Sequence, residues 1–177
     1  MKETMNKYRF FSIVDFEQEE QFLQEMASKG YHLERIDWIL RYVFVKGEPK
    51  EVTYRLDLRN NNAEKEELIQ MAQDYGWTYL TQMMDWLYFR KDGKGHELFT
   101  DQASKIQYLN RIFVTRYLLV FIMFLLIVLP SFLDVFGINE ATEMSYFWIG
   151  MFLVYIVILV YAGFKLVKLN RKYQNME

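Results

Sequence analysis

A chain of 177 residues with a formal net charge of −2, 52% hydrophobic residues and no cysteine has no disulfide, no thiolate catalysis and no cysteine-based zinc site. The charge is unevenly spread: residues 1–104 hold 14 Lys+Arg and 19 Asp+Glu, net −5, whereas residues 105–177 hold 7 and 4, net +3. An acidic first part argues against phosphate neutralisation, so no direct nucleic-acid partner is expected.

Met1–Phe10 lacks the apolar run of a secretion signal. The first predicted element is a strand over Tyr8–Val14. Asp15 then offers an N-cap, with Gln18 placed to complete a capping box. The helix it opens carries Phe16, Leu23, Met26 and Ala27 on one face and ends at Gly30, a residue suited to a left-handed stop. Two strands rich in aromatic and β-branched residues follow, His32–Trp38 and Arg41–Lys46, closed by the turn Gly47-Glu48-Pro49-Lys50.

The same order then recurs. Val52, Tyr54, Leu56 and Leu58 alternate with polar residues as a half-buried strand does. A helix starts in Asn60-Asn61-Asn62, shows Leu68, Ile69, Ala72 and Tyr75, and stops at Gly76. Strands Thr78–Met83 and Trp86–Lys91 follow, and Asp92-Gly93-Lys94-Gly95 breaks the chain. A spacing of 46 relates Tyr8-Arg9 to Tyr54-Arg55, Phe22-Leu23 to Leu68-Ile69 and Gly30-Tyr31 to Gly76-Trp77. A slip of one residue aligns Phe44-Val45-Lys46 with Phe89-Arg90-Lys91. The expectation is an α+β domain over 1–99, made of strand–helix–strand–strand repeats at 7–48 and 52–93. Its simplest assembly is an antiparallel-rich sheet with both helices on one face.

From about Thr100 a juxtamembrane helix (100–111) carries Ile106, Leu109, Ile112 and Phe113 as an apolar stripe. Tyr117–Leu133 and Met144–Phe164 contain no charged residue, and about 20 apolar residues span a bilayer core. Transmembrane helices are predicted over 112–136 and 144–167, joined by an extracytoplasmic loop at 137–143 and followed by a tail at 168–177. Lys105, Arg111 and Arg116 precede the first span and Lys165, Lys168, Arg171 and Lys172 end the second, while the loop region offers Asp134, Glu140 and Glu143. This asymmetry predicts a two-pass protein of the cell membrane with both termini cytoplasmic. Pro130 would kink or terminate the first span.

Candidate chemistry is sparse. His32 and His96 lack further ligands at metal-binding spacing, so no metal and no cofactor are expected. The pairs Glu19/Glu20 and Glu66/Glu67 could serve acid–base work, but at helix starts they complement the helix dipole. Ser12, Ser28 and Ser104 have no nucleophile-elbow context, and no catalytic residue is assigned. The aromatics are more informative: Trp38, Tyr42 and Phe44 in the first copy answer Trp86, Tyr88 and Phe89 in the second. They are either core and sheet-surface residues or the lining of a cleft between copies. In the second case Trp38, Tyr42, Trp86 and Tyr88 form the candidate ligand or partner surface. Some of them must then be partly exposed, with Glu34, Asp37 or Asp85 to anchor a small apolar or cationic ligand.

The segments from Phe22 to Leu33, Arg41 to Pro49 and Tyr54 to Asp57 resemble the bacterial domain-of-unknown-function family 2812, over roughly residues 7–110. That resemblance implies a cytoplasmic domain followed by membrane spans, often encoded beside PadR-type transcriptional regulators. It implies no activity and no catalytic residues. The functional expectation is a membrane-anchored, non-enzymatic cytoplasmic module for sensing or protein interaction, with the lipid bilayer and a regulator or membrane complex as partners. The alternative is an accessory or structural subunit of a transporter or envelope complex.

Overall fold

The computed structural model describes residues 3–37, 41–58, 62–93, 102–137 and 142–174. The chain divides into two compact units, Met1–Lys105 and Ile106–Glu177.

The first unit contains β1 (Thr4–Tyr8), α1 (Phe16–Ser28), β2 (Tyr31–Asp37), β3 (Arg41–Lys46), β4 (Val52–Leu58), α2 (Asn62–Asp74), β5 (Thr78–Met83) and β6 (Trp86–Asp92). These strands form two separate antiparallel sheets rather than one, ordered β1-β3-β2 and β4-β6-β5. Each half therefore has the same element order and the same strand order, with its last strand in the middle. Each also carries a register irregularity at a matching place, between Leu33 and Arg35 in β2 and between Tyr79 and Thr81 in β5. Gly30 and Gly76 end the helices at φ +83° and +79°, a conformation that side chains with a Cβ resist.

The strand predicted over Tyr8–Val14 lies earlier, at Thr4–Tyr8. Ser12 N–H donates to Asp15 Oδ2 at 2.8 Å and Asp15 N–H to Ser12 O at 2.9 Å, so this stretch closes into a turn despite its β-branched Ile13 and Val14. The Asp15 carboxylate thus faces backward, and no side-chain cap forms on α1. The pairing register also corrects the repeat alignment at its start. Tyr8 lies opposite Arg41 and Leu58 opposite Trp86, so Tyr8 corresponds to Leu58 and not to Tyr54.

The helices do not share one sheet face. Helix α1 buries a wide arc of Phe16, Glu19, Glu20, Phe22, Leu23, Met26 and Ala27. Phe22 packs edge-on against Tyr42 and Phe44 of the first sheet, and Phe16 packs on Trp86 of the second. Helix α2 instead covers the other face of the second sheet, where Leu68, Ala72, Trp77, Leu87 and Phe89 form a cluster. Side chains alternate across a strand, so Tyr88 points away from α2 and toward α1. A helix that is apolar on both flanks of its buried arc can join two sheets that a one-sided helix could not.

At the start of α3 (Gln102–Ile112) the chain leaves the first unit. A π-helical segment over Phe113–Tyr117 connects α3 to α4 (Leu118–Val135), and α5 (Glu143–Gln174) runs back. Thr115 Oγ1 donates to Arg111 O at 2.7 Å within this widened turn. Pro130 does not terminate the helix, which continues to Val135. Phe121, Phe124 and Phe132 surround Phe152, and Tyr155 Oη donates to Tyr117 O at 2.6 Å. At Gly163 an added Cβ would stand 3.3 Å from the Phe113 ring, so the two helices approach closely there. Two stretches, Lys105–Val135 and Glu143–Tyr173, are long and apolar enough to cross a membrane.

Candidate functional site

Two consecutive acids of α1 sit where the halves of the first unit meet. Glu19 and Glu20 are 4% and 8% exposed, which sets them apart from Glu66 and Glu67 on the exposed side of α2. Glu19 lies in the first turn of α1, as the helix-dipole reading has it, but burial asks more of both acids than a dipole supplies. Burying a charge is costly unless it is matched, and each acid is matched differently.

Glu19 Oε1 accepts two hydroxyl protons, from Tyr42 of β3 and from Tyr88 of β6, both at 2.6 Å. One carboxylate oxygen thus joins the two sheets through α1. Burial pushes the Glu19 carboxyl above its ordinary value. The two tyrosine hydrogen bonds oppose that rise, and the neighbouring Glu20 adds to it. Both tyrosine hydroxyls are pushed far up, first by burial and then by the Glu19 charge, so they remain proton donors.

Glu20 has cations. Arg55 Nη1 donates to its Oε2 at 3.1 Å and Leu56 N–H to its Oε1 at 2.8 Å. Lys105, the last residue of the first unit and 4% exposed, donates its Nζ to Leu56 O at 2.7 Å and lies over the Phe16 ring. The peptide groups flanking Leu56 on edge strand β4 are thereby satisfied by a carboxylate and an ammonium instead of a neighbouring strand. Burial still raises the Glu20 carboxyl, opposed by Lys105 and Arg55. A direct bond between the sheets runs from Leu33 N–H to Tyr54 Oη at 3.2 Å, in the interior.

The sequence-predicted aromatic surface lies in this interior. Tyr42, Trp86 and Tyr88 are 3%, 6% and 2% exposed, so the partial exposure that a cleft requires is not met at these positions. Trp38 lies outside the described residues. Tyr42 and Tyr88 do converge, but on Glu19 rather than on a cavity. Their register explains why: under the one-residue slip Tyr42 corresponds to Leu87 and Tyr88 to Val43, so they occupy opposite faces of their sheets and both reach α1. Two of the three acids proposed as ligand anchors are engaged with arginines. Glu34 pairs with Arg35, and Asp37 pairs with Arg41 at 2.6 Å and with Arg35. His32 Nε2 bonds Glu48 O at 2.8 Å, Ser28 Oγ donates to Glu25 O, and His96 lies outside the described residues. Among the described residues no three His, Asp or Glu side chains gather as a metal site would need. Chemically, the acid pair can hold protons and lock sheets together. The signal that marks it is a pair of acids within the apolar arc of α1, three and four residues after Phe16 and separated from Phe22-Leu23 by Gln21 alone.

On the outside, β1 is an edge strand paired on one side by β3, and Tyr8 and Phe10 beside it are 72% and 68% exposed. An open groove of about 570 Å³ runs along the outer side of α1, lined by Gln21, Gln24, Glu25, Pro49, Lys50 and Val52 among others.

A family model described as a protein of unknown function (DUF2812) matches residues 15–123. That range takes in α1 with its acid pair, both sheets from β2 onward and the chain into α4. No curated protein and no solved structure matches.

Proposed function

The chain belongs to that family, and from this premise we propose that it is a membrane-anchored, non-enzymatic protein-interaction module. The observation that carries the proposal is the exposed edge of β1 with Tyr8 and Phe10. An unpaired strand edge carries free peptide donors and acceptors, and flanking aromatic side chains add apolar contact for an incoming segment. The acids and aromatics with chemical potential are used inside, where Glu19 and Glu20 hold the sheets on α1. The two long apolar helices provide the anchor. The lysine and arginine bias supports a reading with both termini in the cytoplasm, where a regulator of PadR type or a membrane complex would be the partner class.

The test is native purification of the full chain with mass spectrometry of what accompanies it, repeated with Tyr8→Ser and Phe10→Ser together. One partner should be retained by the parent and lost from the variant while the melting temperature stays the same. Stabilisation of the parent by a small molecule, with no protein partner, would instead favour a ligand sensor. An obligate membrane complex that survives the double substitution would favour an accessory subunit.

A further inference from the structure

The described residues of the second unit separate their charges along its length. Among its described residues the carboxylates are Asp134 and Glu143, at the end of α4 and the start of α5. Its cations, Arg111, Arg116, Lys165, Lys168, Arg171 and Lys172, all belong to the opposite end of the helix pair. Helix α5 does not stop where its apolar run ends at Phe164 but continues unbroken to Gln174.

At 3.6 residues per turn, Lys165, Lys168, Arg171 and Lys172 fall within an arc of about 120°. Leu166 and Leu169, buried, lie on a different side of the helix. One turn earlier the same arc carries Tyr161 and Phe164, 52% and 75% exposed, and Lys165 lies over the Tyr161 ring. A single face thus passes from exposed aromatic surface to exposed cations over a rise of about 12 Å from Phe164 to Lys172. That length is close to the screening distance of about 10 Å within which a charged headgroup layer attracts a cation. Arg111 and Arg116, both exposed, add charge at the same end of the unit from the antiparallel helix.

We propose that this face is a recognition surface for anionic phospholipid. Acyl chains lie along the apolar arc and the phosphate headgroup meets Lys168, Arg171 and Lys172. The inference rests on the membrane-anchored reading and adds to it a preference for lipid charge. A zwitterionic headgroup carries its own ammonium and competes poorly for the same residues.

The experiment uses the full chain in a mild non-ionic detergent, offered equal amounts of phosphatidylglycerol and phosphatidylcholine, with retained lipid counted by native mass spectrometry. Phosphatidylglycerol should be retained several-fold over phosphatidylcholine, and excess inorganic phosphate should not displace it. Lys168→Gln, Arg171→Gln and Lys172→Gln together should lower phosphatidylglycerol retention to that of phosphatidylcholine, whereas the charge-preserving Lys168→Arg with Lys172→Arg should keep the preference. Equal retention of both lipids by the parent, displacement by phosphate, or an unchanged preference in the glutamine variant each overturns the proposal. Should the glutamine variant fail to fold, loss of the preference in the arginine variant overturns it as well. Recovery of the parent in the aqueous fraction after alkaline extraction of membranes is a separate result, and it refutes the anchor itself.

Discussion

Glu19 is a carboxylate between two hydroxyl donors in the interior, and its energetics are dominated by the loss of water. Its raised value in the fold has a definite sign. An acid held above its ordinary 4.5 favours the folded state below that pH, and the contribution is lost as pH rises through the folded value. Glu20 is shifted in the same direction, so both acids make the domain less stable toward neutral pH than under mild acidity. Glu19→Gln keeps an oxygen for both tyrosines and removes the titration. Denaturation of the variant across pH should show a flatter profile above about 4.5 than the parent, and identical slopes would mean that Glu19 does not titrate in this window. Tyr42→Phe and Tyr88→Phe each delete one donor to a shared oxygen. Each should cost about 1.5–3 kcal/mol when Glu19 is charged, and the pair should be non-additive in a double-mutant cycle. Lys105→Met leaves Leu56 O without its ammonium and Glu20 without its strongest opposing cation. A loss of about 3–5 kcal/mol is expected, as for other buried charges deprived of a partner; a silent substitution would show that the β4 edge needs no cover.

At the level of elements, periodicity carried most of the architecture. Both helices, five of the six strands and the two glycine stops lie close to where alternation and helical spacing place them, because a pattern of apolar residues is itself the record of a buried face. The errors have local causes. Ile13 and Val14 read as strand, yet a four-residue turn held by Asp15 overrides their propensity. The single sheet was excluded by something periodicity does not encode, the choice of which neighbour covers a second apolar face. The sequence did contain that information in the width of α1's buried arc, but two acids within it masked the signal. The glycines are equivalent in φ and unequal in surroundings. A Cβ on Gly30 would lie 2.7 Å from Gly47 O, a backbone atom that cannot yield, whereas at Gly76 the nearest atom is the Lys91 chain at 3.9 Å. Gly76→Val should therefore cost on the order of 1 kcal/mol from backbone strain alone, and Gly30→Val distinctly more. Equal losses in urea denaturation would show that the Gly47 approach is relieved by movement of the turn.

For the whole molecule, the site was less legible than the fold. Tyr42 and Tyr88, grouped in the sequence reading as the lining of a cleft, instead share the Glu19 carboxylate, because sequence spacing does not tell which face of a sheet is covered from both sides. The second unit posed the opposite case: length and composition alone pick out both long helices as candidates to cross a membrane. Their orientation is predicted from where the cations stand. A charge crossing the bilayer core is strongly opposed, so the end bearing Arg111, Arg116, Lys165, Lys168, Arg171 and Lys172 is expected to stay in the cytoplasm while the Asp134–Glu143 end crosses. The absence of cysteine makes this directly measurable, because any introduced thiol is the sole one in the chain. Single cysteines at Lys7, Asn139 and Asn175 would be treated in intact cells with a membrane-impermeant thiol reagent, and again after the cells are opened. Asn139→Cys should label in both conditions and the other two only after opening. Labelling of Lys7→Cys in intact cells would invert the protein and place the β1 edge, with Tyr8 and Phe10, outside the reach of any cytoplasmic regulator.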